Sequence, residues 1–369
     1  MAFAVNKLIL HRIEQLLLEH REKYRIDLHL HTSYSSDGIQ TVFQAIDQAR
    51  KQHLDIISIT DHDTIGAYNE IIENNLLTDT ELPIILPGVE FTVSFPEYHG
   101  RCHVLKYLYD VNDTNFIYNL QQNKDAFNQR VKLWFECISK NLCLQYFFSR
   151  YGIHCSEEQY RIYLNKQGNP TPDYANLMGY IFSLLQPYGI GVWDIYNKVV
   201  EININDSCSR RRLDMNVALT RFWGKYGDKD INSNYRKLRP LLAPLGIVDA
   251  NYPEYEPIGS ISIEEFGQVH MDALANSGIN ILAHPNSDKL YLMEQLFDVI
   301  HGLELNAHSD KETNQKVKSF AEERSLIVTR GSDKHVDTDE YYSQMEFYDI
   351  QYNELQMLYY LLMQAIGTS

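Results

Sequence analysis

The chain has 369 residues, 44% of them hydrophobic and 22% charged, with a formal net charge of -16. This composition suits a folded protein with a sizeable core, and the length allows one large domain or a barrel with an inserted subdomain. The negative balance excludes a general nucleic-acid coat protein, whose field must attract phosphate, but not a site where metal ions or a local basic patch reverse the field.

No apolar run approaches the roughly 20 residues that cross a bilayer, so no membrane association is expected. The opening residues, Met-Ala-Phe-Ala-Val-Asn-Lys, lack the basic start and cleavage site of a signal peptide. Cys102, Cys137, Cys143, Cys155 and Cys208 form no CxxC pair and are odd in number. That pattern fits a reducing compartment, and a cytoplasmic location is predicted.

Residues 1–24 read as an N-terminal amphipathic helix, with Leu8, Ile9, Ile13, Leu16 and Leu17 at helical spacing over 5–22. Its polar face is not basic, which favours packing against the body over lying on a membrane. Strand signals follow at 26–31, 55–60, 84–90, 102–108, 279–284, 301–306 and 325–330, with helical stretches at 41–53, 289–300 and 311–324. Strands alternating with helices predict an α/β fold with a parallel sheet closed as a seven-stranded TIM-like barrel. Its halves would be residues 25–110 and 260–339, separated after the fourth strand by a long, largely helical insertion, 111–259.

Within the insertion, 121–185 is helical in character. The segment 207–240 carries nine basic residues, among them Arg210, Arg211 and Arg212, against three acidic ones. It reads either as a patch that attracts a polyanion or as a charged solvated face. Phe222, Trp223, Tyr226 and Tyr235 nearby either stack on bases or form a small core. Residues 340–369 form an aromatic-rich helical tail, including Tyr341, Tyr342, Tyr348, Tyr359 and Tyr360. Core packing accounts for this tail; a partner chain or a second copy of this one is the sharper reading.

Histidines and acids recur at the strand ends. His29 and His31, two apart on a strand, point the same way, and a shared metal would satisfy both at once. Asp37 follows in a Ser-Ser-Asp-Gly loop. His62 lies between Asp61 and Asp63, carboxylates expected to hold its tautomer. Glu90 ends an otherwise apolar run, where a lone carboxylate would be costly and bridging two cations would explain it. His103 and His284 come after the next strands, the segment Gly302-Leu303-Glu304-Leu305-Asn306 sits between them and the end, and Asp333 and His335 repeat the two-residue spacing.

The set HxH, SDG, TDHD, GVE, a downstream His, AHP and GSDxH resembles the PHP family, named for polymerase and histidinol phosphatase domains, over about 26–108 and 260–336. The resemblance implies a distorted seven-stranded barrel and two or three divalent metal ions, with manganese, zinc or iron compatible with the donors. One ion would be held by His29, His31, Glu90 and Asp333, a second by Asp37, His62 and His335, and a third by Glu90, His103 and His284. Asp rather than His at position 37 resembles the branch that cleaves nucleotide phosphates and nucleic-acid ends. Phosphate ester hydrolysis by a metal-bridging hydroxide is the implied chemistry, in a phosphodiesterase or exonuclease. Asp61, Asp63, Arg101 and Arg130 complete the expected site, the arginines as phosphate contacts or as solvated surface residues. Two other readings stay open: a small-molecule phosphomonoesterase of histidinol-phosphatase type, and a nuclease subunit active only with an ATPase partner in nucleic-acid surveillance or phage defence.

Overall fold

The computed structural model describes residues 2–35, 38, 40–95, 100–110, 112–166, 174–191, 194–195, 197–198, 201, 278–285, 290, 299–335, 342 and 344–367. Asp37, the basic segment 207–240 with its aromatic residues, and most of the helix expected at 289–300 lie outside them. The chain divides into two compact units, residues 1–124 with 267–369, and residues 125–266.

The first unit begins with α1 (Ala2–Leu18), which buries Ile9, Leu10, Ile13 and Leu17 along one stripe. The helix stops short of residue 22 because His20 turns into the left-handed region at φ 50° and β1 (Lys23–Leu30) starts immediately after. A capping box in which Thr41 and Gln44 exchange hydrogen bonds starts α2 (Val42–Lys51). Then come β2 (Ile56–Ile59), α3 (Gly66–Glu73), β3 (Ile84–Ile85), β4 (Gly88–Phe95) and β5 (Gly100–Tyr107). After the second unit the chain returns through β6 (Ile279–Leu282) and β7 (Gly302–Asn306).

The ladders form two mixed sheets, ordered β3-β2-β1-β9 and β4-β5-β6-β7-β8 once β8 (Ile327–Gly331) and β9 (Asp349–Gln351) are added. This corrects the expected all-parallel barrel: the fold is α/β, but among the described residues no closed seven-stranded barrel is formed. Single bridges, Leu30 with Lys334 and His62 with Glu90, link the two sheets. The reason lies in the connections. Parallel neighbours need a crossover of about a dozen residues or more, whereas only residues 96–99 separate β4 from β5, so the two pair antiparallel as a hairpin. The expected strand 84–90 is likewise split at Pro87, with β3 parallel to β2 and β4 turned into the hairpin.

Among the connections the structure describes, β7 and β8 are joined by a helix, α8 (Lys311–Glu323), capped by Asp310, whose side chain accepts the Thr313 N–H at 2.8 Å. Here the parallel pairing expected from alternation does occur. The tail is more than a helix: β9 pairs antiparallel with β1 before α9 (Tyr352–Gly367) begins. Leu355, Leu358 and Leu362 of α9, with Tyr342, Tyr348 and Ile350, belong to the same buried core as α1 and the strands.

The second unit is helical where it is described, and α4 (Thr114–Lys140) runs into it. Asn141 caps α5 (Leu142–Tyr151), which Gly152 ends in the left-handed conformation at φ 64°. With α6 (Glu157–Lys166) and α7 (Tyr174–Leu185) these helices enclose Val131, Trp134, Leu144, Phe148, Tyr160 and Leu177. No described helix is long and apolar enough to cross a membrane.

Candidate metal centre

Glu90 sits near the start of β4, wholly buried, and imidazoles surround its carboxylate. On Oε2 converge His29 Nε2, His31 Nε2 and His62 Nδ1, each at 3.1 Å. Oε1 is faced by His103 Nδ1 at 2.8 Å and His284 Nε2 at 3.2 Å. Asp333 Oδ1 closes the arrangement at 3.2 Å from His31 Nε2 and 3.5 Å from His29 Nε2. His335 stacks on His31 with ring centres 4.2 Å apart and lies 3.6 Å from Asp333 Oδ1.

These residues come from different elements by different means. The two-residue alternation of β1 puts His29 and His31, the residue just past its end, on one face. His62 lies just past β2, where the bridge to Glu90 fixes it. His284 and Asp333 stand two residues beyond the ends of β6 and β8 with φ of 30° and 50°. Non-glycine residues adopt this left-handed region at a cost of order 1–3 kcal/mol, and it concentrates at functional sites.

A second layer holds the imidazoles. Glu304, 1% exposed on β7, places Oε1 2.8 Å from His29 Nδ1, and its Oε2 accepts the His284 backbone N–H at 2.6 Å. One carboxylate thus orients two histidines, leaving His29 Nε2 to the centre. Gly331 makes room for it, since a Cβ there would collide with Glu304 Oε1 and with His29 Cβ. Ser35 Oγ lies 2.9 Å from His31 Nδ1 and accepts the His62 backbone N–H at 3.0 Å. In the sequence the segment around Glu304 stands out without a role, and Ser35 carries no signal of its contact with His31. The only signal for Glu304 was a charged residue inside a fully buried strand.

Asp61 accepts the backbone N–H and hydroxyl of Thr32 at 2.6 and 2.7 Å. Asp63 accepts from the Thr92 N–H at 2.9 Å and from Asn123 Nδ2 at 2.6 Å. Their carboxylates fasten the loops that carry the histidines. Arg101 lies on β5 opposite Ser94 and Arg130 within α4; their side chains are outside the described structure.

The electrostatics follow from burial. Desolvation opposes a charged His29, but Glu304, Glu90 and Asp333 outweigh it and hold its pKa well above the ordinary value. Burial would raise Glu90, yet His62, His103 and His29 keep it well below the usual carboxylate range. Burial pushes His103 down to about 4 against the pull of Glu90, so its ring is neutral near pH 7. The centre therefore combines ionised carboxylates with a neutral His103 and a His29 that holds its proton; a ligating imidazole must be neutral, so a divalent cation would displace that proton on binding. Three groups place their ligating atoms within 4.8 Å of one another: His29, His31, Glu90 and Asp333; His31, His62 and His335; and His62, Glu90 and His103. The mixture of nitrogen and oxygen donors fits a first-row divalent ion.

Residues 27–192 match the PHP domain. No curated protein matches the chain. Among solved structures, a protein of Bifidobacterium adolescentis designated a metal-dependent phosphoesterase is 21% identical, over 85% of this chain and 88% of that one, with a TM-score of 0.48. An amidohydrolase from Chromobacterium violaceum, solved with sulfate and no metal, is 14% identical over 89% of this chain and 98% of its own, with a TM-score of 0.54, a likeness of fold alone.

Proposed function

From the match of residues 27–192 to the PHP domain, we propose that the chain is a metal-dependent phosphoesterase, a hydrolase of phosphate esters. The observation that carries this reading is the single buried carboxylate of Glu90 with five imidazoles around its two oxygens. A purely structural cluster of this kind would leave charges and lone pairs confronting one another without solvent, at a cost of several kcal/mol per uncompensated ion.

We assign His29, His31, Glu90 and Asp333 to one ion, His62 and His335 with Asp37 to a second, and Glu90, His103 and His284 to a third. Bound divalent cations supply Lewis acidity towards phosphoryl oxygens and bring the pKa of water near neutrality. The protein contributes the rest. Glu304 and Ser35 hold the imidazoles at the angle that presents their free nitrogens, and Asp61 and Asp63 brace the loops.

For substrate we favour a nucleotide or a nucleic-acid end, cleaved as a phosphodiester. Asp37 and the basic segment 207–240 with its aromatic residues support this in the sequence. The test is manganese-supplemented hydrolysis of a chromogenic diester, a nucleoside 3′,5′-bisphosphate, labelled single-stranded RNA and DNA, and histidinol phosphate. Cleavage of the diester and nucleotide substrates, lost in His29→Ala and Asp333→Ala, is the expected result. Activity on histidinol phosphate alone would replace the nucleotide reading with that of a small-molecule phosphatase.

A further inference from the structure

Two ligand-bearing segments meet at this centre, β1 with His29 and His31, and the loop after β8 with Asp333 and His335. The ladder between them is the single bridge from Leu30 to Lys334, where the His31 N–H donates to the Lys334 carbonyl at 2.8 Å. What fixes one segment against the other lies deeper in the core, at Asp27.

Asp27 is fully buried on β1, on the same face as His29. Its Oδ1 accepts the Ser332 backbone N–H at 2.9 Å and the His29 backbone N–H at 3.4 Å. The Ser332 hydroxyl returns a bond to the His29 carbonyl at 3.3 Å. One oxygen thus binds the backbone of a ligand residue and the backbone immediately before another. The other oxygen, Oδ2, accepts the hydroxyl of Tyr342 at 3.0 Å. That bond fixes the carboxylate plane and so the direction in which Oδ1 points. Tyr342 is held in turn by its ring contact with Tyr348, 5.3 Å between centres, by β9 paired to β1, and by the Arg25–Asp349 ion pair at 3.1 Å.

We propose that Tyr342 is a positioning residue for the metal centre: through Asp27 its hydroxyl sets the spacing between the His29–His31 strand and the Asp333–His335 loop. The C-terminal segment is then part of the support of the site. The inference rests on the reading of the cluster as a metal centre, and it predicts that removing one hydroxyl weakens metal binding at ligands Tyr342 does not itself touch. Residues that orient ligands in this way typically account for 10–100-fold in metal affinity.

The experiment titrates divalent manganese into the metal-stripped full-length protein, with cobalt loading to read ligand geometry from the visible spectrum. Wild type comes first: if it binds no manganese, the metal-centre reading itself fails, whatever Tyr342 does. If it binds, Tyr342→Phe should lose roughly tenfold in affinity and shift the cobalt bands, with the metal-free variant still folded although the lost bond to a buried carboxylate lowers its melting temperature. In a cycle with Asp27→Asn, the double variant should bind no worse than Asp27→Asn alone, because both changes break one linkage. Wild-type affinity and spectrum in Tyr342→Phe, or additive losses in the cycle, would each overturn the proposal.

Discussion

The two units bury different chemistry. Between residues 125 and 195 the described buried side chains are aromatic, aliphatic or cysteine, as in Trp134, Phe148, Tyr160 and Leu177. In the first unit an apolar core of the same kind coexists with buried Asp27, His29, His31, Glu90, Lys106, Glu304 and Lys334. Apolar burial stabilises a fold at about 25 cal/mol per Å² and needs no further explanation. Buried charge works against the fold unless something compensates it. The contrast teaches where to look for function: in the unit whose interior is electrostatically expensive.

Substitutions can break that contrast from either side. The largest expected effect is at Glu90. Glu90→Ala leaves five imidazoles without their shared carboxylate, and diester hydrolysis should fall by about three orders of magnitude or more, beyond what residues that merely orient ligands account for. A steady-state assay at saturating manganese checks this; a loss under tenfold would remove Glu90 from the centre. In the apolar unit, Leu177→Ala should cost about 2–5 kcal/mol of stability through a cavity, read by urea melts, with manganese affinity unchanged. Weakened metal binding there would mean that the two interiors are energetically coupled.

Lys106 tests the expense of buried charge away from the histidines. Burial lowers its pKa to about 8 from the ordinary 10.5. The native state therefore holds fewer protons than the unfolded chain between those values, so stability rises with pH across that window and the penalty is fully present below pH 8. At about 1.4 kcal/mol per pKa unit, the charged form costs on the order of 3 kcal/mol at neutral pH. Lys106→Met forfeits the 3.3 Å bond to Asn280 yet should still stabilise the protein by roughly 2 kcal/mol at pH 7, with the gain gone above about pH 10.5. Equal gains at pH 7 and pH 11 would show that the effect is packing and not charge. The smallest effect is expected from Glu304→Gln, which keeps the shape but loses the charge behind His29: manganese affinity should drop about 10-fold, and unchanged affinity would show that the carboxylate serves only the strand.

Much of the candidate site could be read from the sequence because its residues violate local rules. Histidines two apart on an apolar strand and a glutamate ending Ile84-Ile85-Leu86-Pro87-Gly88-Val89 have no local reason to be there, and these are the residues the fold gathers. Relations between distant segments were not legible. The bond from Glu304 to His29 spans 275 positions and that from Tyr342 to Asp27 spans 315, and no periodicity encodes either. Nor does adjacency to His62 reveal that the carboxylates of Asp61 and Asp63 accept hydrogen bonds from Thr32 and Thr92. The sheet was misjudged for a related reason. Strand signals at 84–90 and 102–108 look alike in composition, and only the short span between β4 and β5 determines that they run antiparallel. The brief β9 was hidden inside a tail whose composition reads as helix.

The most direct test of the account is the metal content of the protein itself. Wild type and Glu90→Ala, stripped with chelator and dialysed against manganese, would be assayed for bound metal per chain and for diester hydrolysis on the same samples. Two or three ions per wild-type chain, activity rising with occupancy, and both lost in Glu90→Ala is the predicted result. Undiminished hydrolysis by the stripped protein, or equal metal content in the variant, would contradict it.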